Sequence, residues 1–144
     1  MVDWEQYFVQ GLELLFFGIG TWFDIRDREL PLTFLMLFGV IGIVCNVLWK
    51  YQSLKSVVMG SIIGGTFLMV GWVSNEEIGY GDGIGLVILG IFEGFRGMIP
   101  VLIGAFLFSG IYGLWKLVGL KRSGSDTMPF FPFLLLAFVG VKLL

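Results

Sequence analysis

Residues Ile78-Gly79-Tyr80-Gly81-Asp82-Gly83-Ile84-Gly85 set one carboxylate in a glycine-rich turn that opens directly into a long apolar run. A carboxylate at bilayer depth costs about 3 kcal/mol or more, so an acid in this position is expected to be paired, hydrated or used. The glycines flanking Asp82 remove side-chain bulk and admit backbone angles closed to other residues. Another backbone, such as an extended peptide, could then come close. A nucleotide-binding glycine loop fails on spacing, because G-x-G-x-x-G needs glycine at 84 or 86, where Ile84 and Leu86 stand. An interhelical turn whose acid merely faces water is the plain alternative, and it requires that Asp82 stand alone.

The surrounding composition says where this turn sits. Of 144 residues, 57% are hydrophobic, 17% aromatic and 14% charged, and the mean hydropathy is +0.93. A soluble domain of this size cannot bury that much apolar surface, so the expected fold is an all-α polytopic membrane protein. A net charge of -2 with scattered basic residues leaves no nucleic-acid footprint. Cys45 is the single cysteine and histidine is absent, which removes disulfides, zinc clusters and Ser-His or Cys-His catalysis. Hydrolytic chemistry would have to run on carboxylates, with no metal or other cofactor.

Outward from the turn, apolar segments near the roughly 20 residues a bilayer needs are expected at 7–23, 31–49, 54–73, 83–95, 98–117 and from 128 onward. This is a bundle of about six transmembrane helices, read as one membrane domain over 1–144. The first segment has no basic leader and no cleavage site and reads as a retained helix. Glu13 within it is expected to reach the interface from the first turns, the other placement being a polar cavity inside the bundle. Gly60, Gly64 and Gly65 in the third segment give the small-xxx-small spacing of close helix contact. Pro129 and Pro132, three apart, predict an irregular or re-entrant entrance to the last segment.

With six crossings, the loops after the first, third and fifth segments open on one side. Asp24 and Asp82 therefore share a face. That face carries Arg26, Arg28, Lys116, Lys121 and Arg122 against Lys50, Lys55, Arg96 and Lys142 on the other, a five-to-four positive-inside count. Two carboxylates brought close share one proton over a broad pH range. The ionised member can take a proton from water while the protonated one polarises a peptide carbonyl. That is aspartyl protease chemistry. Asp27 is the rival first acid, and Asp24, Arg26, Asp27, Arg28 and Glu29 can equally be a solvated charge cluster at a helix end.

Three stretches in order carry a resemblance. Gly79-Tyr80-Gly81-Asp82 resembles the GxGD signature of the type IV prepilin peptidase family of membrane aspartyl proteases. Asp24-Ile25-Arg26-Asp27-Arg28-Glu29-Leu30-Pro31 is similar to that family's first motif, an aspartate seven residues before a proline, and Met128-Pro129-Phe130-Phe131-Pro132-Phe133-Leu134 to its late Pro-Phe-x-Pro-Phe-Leu segment. Leu32 and Ile84 depart from the asparagine and lysine often found in the family. The resemblance implies that Asp24 and Asp82 are the catalytic acids, and that cleavage occurs at the cytoplasmic face of the cell membrane. The implied substrate is a prepilin-like protein with a short basic leader, in type IV pilus assembly or protein secretion. The sequence lacks the paired CxxC motifs of the larger bifunctional members, which implies cleavage without N-methylation. It is similar to the short peptidases of tight-adherence (Flp) pili and to archaeal preflagellin peptidases. Asp27, Glu76 and Glu77 would draw in the basic leader, and Gly79, Gly81 and Gly83 would leave room for the scissile backbone. From the residues alone, a small transporter or channel using intramembrane carboxylates for cations or protons stays open beside the enzyme.

Overall fold

A computed structural model describes residues 3–27, 30–50, 52–73, 80–119 and 130–143. Apolar runs in lipid must satisfy every backbone group internally, and the described residues are accordingly almost all helical. There are five helices: α1 (Asp3–Asp27), α2 (Leu32–Trp49), α3 (Leu54–Val73), α4 (Tyr80–Gly119) and α5 (Phe131–Leu143). The first four are long and apolar enough to cross a membrane, and α5 is a shorter apolar helix. Leucines, isoleucines and valines such as Leu14, Ile43, Ile62, Leu107 and Ile111 stay exposed on the outer faces, as expected where the solvent is lipid. The protein is a multi-pass membrane protein.

The fourth and fifth predicted spans are both present but joined within α4, so the expected six or so spans appear as five helical elements among the described residues. Gly94 breaks that helix with φ 71° and ψ −175°, a backbone region essentially confined to glycine. The chain reverses there. Gly83 lies against Leu68, Gly64 against Val87, and Gly60 against Gly90, so α3 runs antiparallel to residues 80–93. Phe106, twelve residues beyond the break, stacks on Phe67 with ring centroids 5.4 Å apart, which places residues 95–119 back alongside the same stretch of α3.

Neighbouring helices take up a donor and an acceptor freed at the break. Phe95 N–H donates to Ser56 Oγ of α3 at 2.9 Å. The carbonyl of Ile91, its ordinary partner four residues back, accepts from Asn46 Nδ2 of α2 at 2.7 Å. A reversal inside a membrane is tolerated where other helices satisfy the freed groups in this way.

Contacts at both ends fix the remaining directions. Phe34 of α2 stacks on Phe16 of α1, and Trp49 meets Trp4 and Phe8 edge-on, so these helices are antiparallel. Helix α5 starts at the C-terminal end of α1 and finishes where Lys142 reaches Glu93. The predicted irregular entrance to the last span falls largely outside the described residues, which resume at Phe130. Phe130 precedes the helix, its carbonyl accepting from Phe133 and Leu134 at 3.0 and 3.2 Å, and α5 is regular from Phe131. Pro132 falls in the first turn, where its missing N–H leaves no gap in the ladder. Pro129 and Met128 lie outside the described residues.

Glu13 is only 1% exposed, within the bundle and not at the interface. It sits one helical turn before Phe16 and Phe17, both fully buried, so the face that α1 turns inward carries it along.

Candidate active site

The last turns of α1 bring Asp24 into the bundle, 7% exposed. Its Oδ2 accepts the backbone N–H of Phe131 at 3.0 Å. Phe131 is the first residue of α5, so its N–H has no partner within its own helix, and a helix N-terminus favours a carboxylate. The ring of Phe131 is fully buried and packs where side chains are missing. A Cβ on Gly20 would stand 2.6 Å from it and one on Gly85 2.5 Å. The rings of Phe16 and Phe17 close over it, with centroids 5.6 and 6.3 Å away.

Gly85 is what links this arrangement to the second acid. Asp82 lies in the first turn of α4, three residues before Gly85 and on the same helix face. Gly85 abuts Phe131, Phe131 holds Asp24, and the Asp24 charge acts on the partly buried Asp82. The structure therefore brings Asp24 and Asp82 together at one end of the bundle. Nearby carboxylates disfavour each other's ionisation.

Asp27 stands apart. It lies one turn further along α1, with its side chain 54% exposed, and makes a 3.9 Å ion pair with the equally open Arg26. Arg26 also lies over the Trp22 ring, 4.9 Å from its centroid. A pair this exposed contributes little to stability. The room left by two of the motif glycines is filled from within the chain. A Cβ on Gly81 would meet Leu30 at 3.1 Å, and one on Gly83 would meet Leu68 at 2.8 Å. Gly79, Glu76 and Glu77, like Arg28 and Glu29, lie outside the described residues.

Sequence reasoning missed Phe131 as the residue that positions Asp24, and Gly20 and Gly85 as the two positions that admit its ring. The signal present was an aromatic residue beside Pro132 at a helix start, which marks a free N–H. Nothing local says where that N–H points.

The type IV leader peptidase family matches residues 12–114, a stretch that contains both acids. A prepilin leader peptidase/N-methyltransferase of Xanthomonas campestris pv. campestris is 29% identical over 123 residues, 79% of this chain and 42% of that protein. One from Aeromonas salmonicida is 30% identical over 125 residues, 81% of this chain and 42% of its own length. The chain thus spans about two-fifths of the length of these relatives. No solved structure matches significantly.

Proposed function

We propose, for a chain that belongs to the type IV leader peptidase family, that it is a membrane-embedded aspartyl endopeptidase with Asp24 and Asp82 as its catalytic pair. The observation that carries this reading is the convergence of the two acids, Asp24 held by the Phe131 N–H and Asp82 within reach of its charge. With one proton between them, the ionised carboxylate takes a proton from a water molecule as that water attacks the scissile carbonyl. The protonated partner donates a hydrogen bond to the carbonyl oxygen. Collapse of the tetrahedral intermediate returns a proton to the departing amine. Both acids must ionise and reprotonate in turn, so cleavage is expected to fall away at each end of the pH range.

The substrate in this reading is a prepilin-like membrane protein carrying a short basic leader, as the names of the relatives suggest. Asp27, exposed at the end of α1, together with Glu76 and Glu77 gives the mouth of the site an acidic rim that attracts such a leader. Gly79, Gly81 and Gly83 belong to the same approach, with Leu30 the side chain that would shift to open the space beside Gly81. The site faces the cytoplasm, an orientation supported by the five-to-four excess of basic residues on its side. The test is co-expression with a candidate prepilin, scored by leader removal on a gel. Cleavage that persists in either Asp24→Asn or Asp82→Asn would end the proposal.

A further inference from the structure

At the end of the bundle away from Asp24 and Asp82 there is a second polar site. A cavity of about 100 Å³ opens between α1, the α2–α3 connection and the Gly94 reversal, lined by Gln6, Gln10, Glu13, Gln52, Glu93 and Lys142. That is room for about three water molecules. Gln6, Gln10 and Glu13 fall at i, i+4 and i+7, one face of α1, so this is a polar stripe built into a membrane helix.

The charges within it do not balance. Lys142 Nζ lies 2.9 Å from Glu93 Oε1 and 3.0 Å from Oε2, committing the one cation to one acid. Glu13 is the more deeply buried of the two acids, and neither of its oxygens meets a hydrogen-bond donor among the described residues. Glu93 faces it and repels it. As carboxylates the two can only accept, so neither satisfies the other; a proton on Glu13 would let it donate to Glu93 and is the occupant that competes with a cation. A carboxylate buried without a partner costs several kcal/mol and is rarely left so.

We propose that this cavity binds a small monovalent cation, with Glu13 as its anionic ligand and the glutamine side chains and water as further oxygen donors. The charge count selects the valence. Once Lys142 has neutralised Glu93, one negative charge remains, which a single alkali cation cancels. A divalent ion would leave one positive charge uncancelled in a buried site, and no group of three Asp, Glu, His or Cys gathers among the described residues. The bound ion ties α1 to α4 where Gly94 turns the chain, so its occupancy stabilises the bundle at a distance from the acids that perform cleavage.

The full chain, purified in detergent at mildly alkaline pH, is unfolded thermally in N-methylglucamine chloride and again with sodium or potassium chloride replacing it at constant ionic strength. A saturable rise in the unfolding midpoint with an alkali cation is expected. Glu13→Gln, which keeps the shape and removes the charge, is expected to abolish that rise while matching or exceeding the wild type in N-methylglucamine. Gln10→Leu is expected to shift saturation to higher concentration. Should Glu13→Gln fail to accumulate, Gln10→Leu and equilibrium binding of radioactive sodium to the wild type decide. A midpoint indifferent to the cation, an undiminished response in Glu13→Gln, or no retained sodium overturns the proposal. A midpoint that moves only with pH does so too, since the occupant is then a proton.

Discussion

The backbone N–H of Phe131 donates to Oδ2 of Asp24 at 3.0 Å, across 107 residues of sequence. The acid proposed for the first catalytic role, at the end of one helix, is thereby oriented by the first peptide group of another. Its geometry depends on how the Phe131 ring is seated.

Asp24→Asn and Asp82→Asn are each expected to lower leader cleavage about 100-fold or more, the ordinary worth of acid–base catalysis. Membrane levels should be little changed, because asparagine keeps the volume. The double variant should be scarcely worse than either single one, since the acids act as a unit. Asp27→Asn, at an exposed position paired with Arg26 among the described residues, should keep most activity. Loss with Asp27→Asn alone would mean that the wrong acid of the first motif has been named.

Gly85→Ala tests the seating of Phe131. The added methyl group would stand 2.5 Å from the ring, and such overpacking costs about 1–3 kcal/mol. Displacing the ring moves the N–H from Asp24, and cleavage is expected to fall about tenfold, equivalent to 1.4 kcal/mol in the barrier. Gly20→Ala should behave alike from the opposite side of the ring. Gly18→Ala, where a methyl group meets nothing within 4 Å, should be silent in the same assay.

Asp82 stood out in the sequence because a charge opening an apolar run is expensive, whereas Asp24 was separated from Asp27 only by its resemblance to a local motif. Phe131 was not legible, since a single N–H finding a carboxylate 107 residues away leaves no local trace. Gly60 and Gly64 were rightly read as contact residues, their faces meeting Gly90 and Val87. Glu13 was misplaced because nearness to the start of a helix suggested an interface, whereas the inward face of α1 includes it. The fourth and fifth spans were expected to meet between residues 95 and 98. The chain instead turns through one glycine, its freed groups held by Asn46 and Ser56, two polar residues in apolar helices that drew no comment.

Gly94→Ala is expected to destabilise the protein by about 1–3 kcal/mol from the backbone angle alone, with a further loss because the methyl group would meet Ser56 Oγ and Gln52. Thermal unfolding in detergent should show the lowered midpoint. Gly110→Ala, in the second arm with open space around it, should leave the midpoint in place.

Two adjacent glycines of α3 make a sharper comparison. A Cβ on Gly64 would run into the backbone at Val87, whereas one on Gly65 would meet nothing within 4 Å. Gly64→Ala should therefore push α3 from α4 at a cost of about 2 kcal/mol and Gly65→Ala should not. Equal unfolding midpoints for the two variants would contradict the close approach of these helices.

The bond from Phe131 to Asp24 also imposes an order in time. During synthesis α1 leaves the ribosome first, and the helix that orients its acid emerges only after α2, α3 and both arms of α4. Until α5 docks, Asp24 lacks the N–H that aims it, even with Asp82 already beside it. A chain stopped ahead of Phe131 is thus expected to enter the membrane with both acids and leave a prepilin uncut. Under the proposed activity, the nascent chain is expected to stay dormant toward its neighbours at the translocon until its own assembly is complete.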